Sequence, residues 1–189
     1  SGVNLELPTA AKGQRYAALV SAVREGATIA DMVATVGHDG IRCQAAPKTS
    51  LAAPFEKLRD MSDAALENSG RRPAVFLATL GGMADFTARA SWARNAFEAG
   101  GIEAVGGIAY DSHDSLIDAF RESRAELACI CGTDAAYGED AEAFATALKH
   151  AGAEAVFLAG KPGDQEETLR AAGIHSFIFA GCDILSVLT

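Results

Sequence analysis

The sequence predicts an α/β fold: a flavodoxin-like, Rossmann-like sheet of five parallel strands in the order 2-1-3-4-5, preceded by a helical and extended arm. Three observations carry this. Apolar runs recur after residue 72, at Ala74–Leu80, Ile102–Val105, Leu127–Cys131, Ala155–Ala159 and Ser176–Ala180. Amphipathic stretches of helical period separate them. Three of those stretches end alike, in Ala99-Gly100, Ala151-Gly152 and Ala172-Gly173, and glycine suits the left-handed position just past a helix end. Continuous apolar strands joined by helical crossovers imply a parallel sheet covered on both faces. In this strand order ligands meet the carboxyl ends of the strands, at the switch point between the first and the third.

The elements follow in order. We divide the chain into residues 1–72, an arm with helices, and residues 73–189, the α/β domain. In the arm, Gln14 to Val23 and Thr28 to Val36 each have partial helical spacing. His38-Asp39-Gly40 is turn chemistry, and Gln44 to Ser50 is polar around Pro47. Pro54 to Asn68 reads as a helix with proline in its first turn. Phe55, Leu58, Ala65 and Leu66 share one face of it, and Gly70 closes it. In the domain, Phe86, Ala90, Ala93 and Phe97 mark the inward face of the first crossover helix. Leu116, Ile117 and Phe120 mark the second, and Ala141, Phe144, Ala145 and Leu148 the third. Asp164 with Glu167 reads as a capping box that starts the fourth. A last helix begins in Ile184-Leu185-Ser186-Val187-Leu188-Thr189. That apolar run at the end, and a start without Met, lead us to expect a fragment.

Composition bounds the function. Hydrophobic residues make up 49% of 189 residues, enough for a sizeable core, and the net charge is −9. An acidic chain is a poor partner for nucleic acid, which needs clustered positive charge. No run approaches the roughly 18 apolar residues of a membrane span, and no signal peptide opens the sequence. The four cysteines, Cys43, Cys129, Cys131 and Cys182, lack zinc-site spacing and read as reduced thiols of a cytoplasmic protein.

Candidate chemistry lies in the strand-end loops. Gly81-Gly82 stands before a helix, where a phosphate can approach backbone N–H groups. The spacing is not G-x-G-x-x-G and no Walker lysine follows, so a tight turn is the favoured reading. We place the thiols of Cys129-x-Cys131 on opposite faces of their strand, which excludes one shared metal ion, and expect both in the core. His38, His150 and His175 are isolated, and His150 sits in a last helical turn, where a cation is favourable. Asp134 and Asp183 follow strands, as Mg²⁺-binding or phosphoryl-accepting carboxylates do. A receiver domain needs an acidic pair after the first strand and a lysine after the fifth, and Met83 and Cys182-Asp183 do not supply them.

Several strings in order resemble the small, non-catalytic subunit of bacterial methylmalonyl-CoA mutase, in its C-terminal cobalamin-binding-type domain. They are Phe55-Glu56-Lys57-Leu58-Arg59-Asp60 with Ser62-Asp63, Arg71-Arg72-Pro73, Phe76-Leu77-Ala78, Phe97-Glu98-Ala99-Gly100-Gly101-Ile102-Glu103-Ala104 and Phe177-Ile178-Phe179-Ala180-Gly181-Cys182-Asp183. The resemblance runs from about residue 50 onward and lacks the family's N-terminal barrel. In the catalytic relative the loop after the first strand carries D-x-H-x-x-G, with the histidine on cobalt. Here those positions are Met83, Asp85 and Ala88. The S-x-L after the third strand corresponds to Cys131-Gly132-Thr133, and the G-G pair after the fourth to Ala159-Gly160. A carboxylate is a poor cobalt ligand. Asp111-Ser112-His113 with Leu116 reads D-x-H-x-x-L, but it follows the second strand and lacks the glycine, so helix capping is the favoured reading.

The resemblance implies a degenerate domain kept for shape and partner contacts. No catalytic or metal residue and no cofactor of its own are expected. Its partner is the large subunit, which carries adenosylcobalamin and isomerises (R)-methylmalonyl-CoA to succinyl-CoA in propionate metabolism. Two alternatives stand beside it: a functional cobalamin domain, for example with His113 as substitute ligand, and a flavodoxin-like module for a nucleotide or flavin.

Overall fold

The computed structural model describes residues 13–36 and 50–189. The chain forms two compact units, Ser1–Lys48 and Thr49–Thr189. His38-Asp39-Gly40, Cys43 and Pro47 lie outside the described residues. The first unit holds helices α1 (Gln14–Arg24) and α2 (Ile29–Val36). Thr28 starts α2 by a reciprocal pair: its Oγ1 accepts from the Asp31 N–H at 3.3 Å and its own N–H donates to Asp31 Oδ2 at 2.8 Å. These contacts hold the Asp31 carboxyl below its ordinary pKa, the Thr28 hydroxyl bond first and the backbone bond second.

The second unit begins with α3 (Ala53–Ser69) and continues through β1 (Ala74–Thr79), α4 (Met83–Ala99), β2 (Glu103–Gly106), α5 (His113–Ser123), β3 (Leu127–Cys131) and α6 (Asp134–His150). β4 (Ala155–Ala159), a short 3-10 turn (Gly163–Gln165), α7 (Glu166–Ala171), β5 (Ile174–Ile178) and α8 (Ile184–Leu188) complete it. The strands form one all-parallel sheet in the order β2-β1-β3-β4-β5, as the sequence predicts.

Alternate residues of each strand feed two separate cores. Phe76, Ala78, Ala128, Ile130, Val156 and Leu158 pack against the apolar faces of α5, α6 and α7. Val75, Leu77, Cys129, Cys131, Phe157 and Ile178 pack against α4 and the C-terminal segment. The predicted inward face of α4 is the observed one: Phe86, Ala90, Ala93 and Phe97 are its buried residues. Phe97 meets Phe157 edge-on, with ring centroids 5.3 Å apart, an arrangement aromatic pairs favour.

Five details differ from expectation. The Cys129 and Cys131 thiols share one face, with Sγ atoms 3.9 Å apart, because a strand repeats every two residues and positions i and i+2 point the same way. Asp164 does not cap α7. It lies in the 3-10 turn after Pro162, and Gln165 stands at the α7 N-terminus without a side-chain cap. At the end of α4 the left-handed residue is Gly101, at φ 84°, while Gly100 has φ −91°. β5 starts at Ile174, two residues early, so Phe179 and Ala180 lie in the loop beyond it. On α3, Leu66 is 40% exposed and the buried position is Ser62.

Ser62 explains why α3, assigned above to the arm, packs within the sheet's own unit. Its hydroxyl donates to the Gly101 carbonyl at 2.6 Å and accepts from Arg72 Nη1 at 3.0 Å. Arg72 also pairs with Asp63, and Arg59 Nη1 donates to the Ala99 carbonyl at 2.8 Å. The helix is thus held by polar bonds to the end of α4 and by half-buried Phe55, Leu58 and Ala65. A Cβ at Gly101 would lie 2.9 Å from Ser62 Cβ, so the close approach requires glycine there.

Two stability outcomes follow. Gly101→Ala is expected to lower the urea midpoint more than Gly152→Ala. Both sit at positive φ, but Gly152 faces open space, so its alanine costs only the conformational term of about 1–2 kcal/mol. Equal effects would mean that α3 does not press on this turn in solution. Phe97→Ala is expected to cost about 3–5 kcal/mol in the same melts, and a loss under 1 kcal/mol would contradict its burial.

Candidate functional site

The β1–α4 loop is the first place to look for chemistry, since it follows a central strand at the switch point. Gly81 takes φ 84° and Gly82 is extended at the helix N-terminus. The Asp85 carboxylate folds back and its Oδ2 accepts from the Gly82 N–H at 2.8 Å. A Cβ on Gly81 would stand 2.8 Å from that oxygen. The glycine pair therefore makes room for the protein's own carboxylate, where a phosphate would need free N–H groups. The tight-turn reading of Gly81-Gly82 agrees with this. Met83 is 71% exposed, and Ala88 stands on the rim of a cleft one turn further along α4.

At the end of β3, Cys131 is fully buried beside Cys129. Burial pushes the Cys129 thiol well above its ordinary pKa, with Cys131 adding to the shift. Thr133 caps α6 by accepting from the Ala136 N–H at 3.2 Å. Between them Gly132 donates its N–H to the Tyr137 hydroxyl at 2.9 Å. That hydroxyl in turn donates to the Ala159 carbonyl at 2.8 Å and lies 3.3 Å from the Ile130 carbonyl. One phenol thus bridges the carboxyl ends of β3 and β4, where backbone groups leave the sheet ladder.

Gly160 follows β4 and lies under two side chains. A Cβ there would be 3.0 Å from Tyr137 Cε2 and 3.1 Å from Arg89 Nη1. The Arg89 guanidinium lies 5.0 Å from the Tyr137 ring centroid, and its Nη2 pairs with Asp134 Oδ1 at 2.6 Å. Its Nη1 is buried with no hydrogen-bond partner among the described residues. Beyond this group opens a cleft of about 740 Å³, walled by α4 and the loops after β4 and β5.

The other candidates have structural employment. Ser112 caps α5 by accepting from the Ser115 N–H at 3.1 Å, as the capping reading expects. His113, the next residue, sets its ring edge-on to Phe144, 4.2 Å between centroids. His150 ends α6 beside Lys149. His175 packs edge-on to Phe157 at 5.8 Å. Asp183 caps α8 through the Ser186 N–H at 3.2 Å and hydroxyl at 2.8 Å, and the Ser186 bonds hold its carboxyl below the ordinary pKa. Asp134 is committed to Arg89. Among the described residues no group of three or more His, Cys, Asp and Glu side chains is placed to hold a metal ion. No helix among them is long and apolar enough to cross a membrane.

Sequence reasoning passed over Arg89, Trp92 and Tyr137. Tyr137 was legible: it stands four residues before Ala141 and seven before Phe144, on the inward stripe of α6. Arg89 flanks the inward stripe of α4, a position that does not by itself distinguish a bridging arginine from a solvated one.

Burial raises the Tyr137 phenol well above its ordinary pKa, which is about 10. A raised folded-state pKa contributes nothing against unfolding below the ordinary value and costs stability as the pH climbs past it. The fold is therefore expected to weaken above about pH 10, and Tyr137→Phe to remove that part of the alkaline loss. At neutral pH the same substitution leaves the Gly132 N–H unpartnered and is expected to cost about 1–3 kcal/mol. Chemical melts of both proteins at neutral and alkaline pH measure the two effects; identical pH profiles would refute the assignment.

No family model matches the chain. It is 46% identical over 143 residues to a methylmalonyl-CoA mutase small subunit of Streptomyces virginiae, covering 76% of this chain and 22% of that protein. A probable methylmalonyl-CoA mutase small subunit of Mycobacterium tuberculosis is 39% identical over 117 residues, covering 60% of this chain and 18% of that protein. The methylmalonyl-CoA mutase small subunit of Porphyromonas gingivalis is 31% identical over 137 residues, covering 72% of this chain and 21% of that protein. These relatives carry the family name to which the resemblance points. The chain is a homologue of the methylmalonyl-CoA mutase small subunits and spans about a fifth of their length.

Proposed function

We propose that the chain is a non-catalytic domain of such a small subunit, serving assembly with a large subunit in the cytoplasm. The large subunit carries adenosylcobalamin and isomerises (R)-methylmalonyl-CoA to succinyl-CoA in propionate metabolism. The observation that carries the reading is Asp85. By the resemblance it takes the place of the catalytic relative's cobalt-ligating histidine, and its carboxylate is spent on capping the Gly82 N–H. A carboxylate is a hard donor, poorly matched to the imidazole position it replaces.

The remaining positions of the cofactor set support the same reading, because each has other work. Cys131 is core, Thr133 is a helix cap, and Gly160 is covered by Tyr137 and Arg89. These residues do not fit cobalamin held through a histidine. What the domain retains is the frame: two apolar cores and capped helices.

Titration of the chain with adenosylcobalamin is expected to give no saturable change in the cofactor's spectrum. A tight one-to-one complex with histidine-ligated features would overturn the proposal. If cobalamin binds and His113→Ala abolishes it, the substitute-ligand alternative is the correct one. Co-purification with a large mutase subunit, with and without cobalamin, tests the assembly role, and no association under either condition would count against it.

A further inference from the structure

The sheet has an edge at β2, and among the described residues no strand lies beyond it. The Glu103 N–H donates to the Pro73 carbonyl at 2.8 Å, and the Gly107 N–H to the Leu77 carbonyl at 3.0 Å. Both bonds run toward β1. Backbone groups of successive strand residues alternate in direction, so Ala104 and Gly106 turn theirs outward, away from β1. Bare outward N–H and C=O groups are a template on which another chain can add a strand.

Here the two outward carbonyls are already taken. Arg94 of α4 reaches over the edge, and its Nη1 donates to the Ala104 carbonyl. Its Nη2 donates to the Gly106 carbonyl at 3.2 Å. Glu98, one turn further along α4, pairs with the same guanidinium at 3.6 Å. The end of the strand is shaped to admit the arginine. Gly106 and Gly107 take positive φ, 74° and 78°, and a Cβ on Gly107 would stand 3.4 Å from Arg94 Nη2. A guanidinium holds its donors in one rigid plane and can serve two acceptors at once.

We propose that Arg94 seals the β2 edge: it stands in for a neighbouring strand at both outward carbonyls, so the sheet accepts no further strand there. A partner at this side of the domain then meets side chains of helices and loops, and not the main chain of β2. The half-exposed guanidinium also sets a positive charge in the path of an incoming strand, and charge on an edge disfavours pairing. A second copy of the chain paired through β2 would bring two such cations together. The inference concerns the edge alone and does not rest on the assembly reading.

Arg94→Met keeps the stem of the side chain and removes its donors. Sedimentation of the full chain over a concentration series, with residue-resolved amide exchange, tests the proposal. In the wild-type chain the Ala104 and Gly106 amides are expected to exchange at rates independent of concentration. Arg94→Met is expected to associate at a concentration about tenfold or more lower, two main-chain acceptors having been freed, with those two amides newly protected. Protection that grows with concentration in the wild-type chain overturns the proposal. So does an Arg94→Met chain that stays monomeric, which would reduce Arg94 to a tie between α4 and β2. Association without protection of Ala104 and Gly106 also overturns it. Where Arg94→Met does not fold, Arg94→Lys, which keeps the charge and loses the planar fork, is judged by the same outcomes alongside the wild-type exchange.

Discussion

The structure depends on β1 and β3 being apolar on both faces. Val75 and Leu77 serve one core, Phe76 and Ala78 the other, and all four are essentially inaccessible to solvent. A strand with this pattern has no polar face to offer water, so helices must cover both sides. That requirement places α4 on one face and α5, α6 and α7 on the other. It also places the two strands side by side, with the loops that hold Asp85 and Thr133 at their carboxyl ends. Burial of roughly 25 cal/mol per Å² of apolar surface makes this arrangement the dominant favourable term.

Within that frame the strand ends are occupied by the protein itself. Asp85 caps the loop after β1, Thr133 caps the helix after β3, and Tyr137 ties the ends of β3 and β4 together. Each is an ordinary solution to an unmet backbone N–H or C=O. Together they occupy the backbone groups at the carboxyl ends of β1, β3 and β4 with the protein's own side chains. The cleft that remains is displaced toward β4 and β5 and lined by Trp92, Arg89 and Lys161. Tyr137 and Arg89 thus stand between the tied strand ends and that cleft.

Much of the fold and some of the candidate site were legible in the residues. Continuous apolar runs located all five strands, and period-3.6 patterns the inward faces of α4, α5 and α6, because burial on a regular element repeats with its geometry. The capping role of Ser112 followed from its place before an apolar helical stripe. Errors arose where local rules met tertiary demands. Leu66 fits an apolar stripe, yet the helix turns Ser62 inward because the Gly101 carbonyl and Arg72 need a hydroxyl there. Asp164 matches a capping box, yet Pro162 leads into a 3-10 turn, and the helix begins later.

What the sequence by itself determined was the architecture: strand and helix alternation, the parallel sheet and its order. These are properties of composition and spacing along one chain, and they follow from periodicity and backbone geometry. Only the tertiary structure decided what the side chains of distant segments do to one another. Arg89 and Asp134 are 45 positions apart, and Tyr137 and Ala159 are 22 apart. Their contacts depend on the register of parallel strands, which no local pattern encodes. The opening feature of this domain, an apolar strand ending in two glycines, is written in the sequence. That the following carboxylate folds back onto it, and that a cleft opens elsewhere, is the outcome of packing two cores against one sheet.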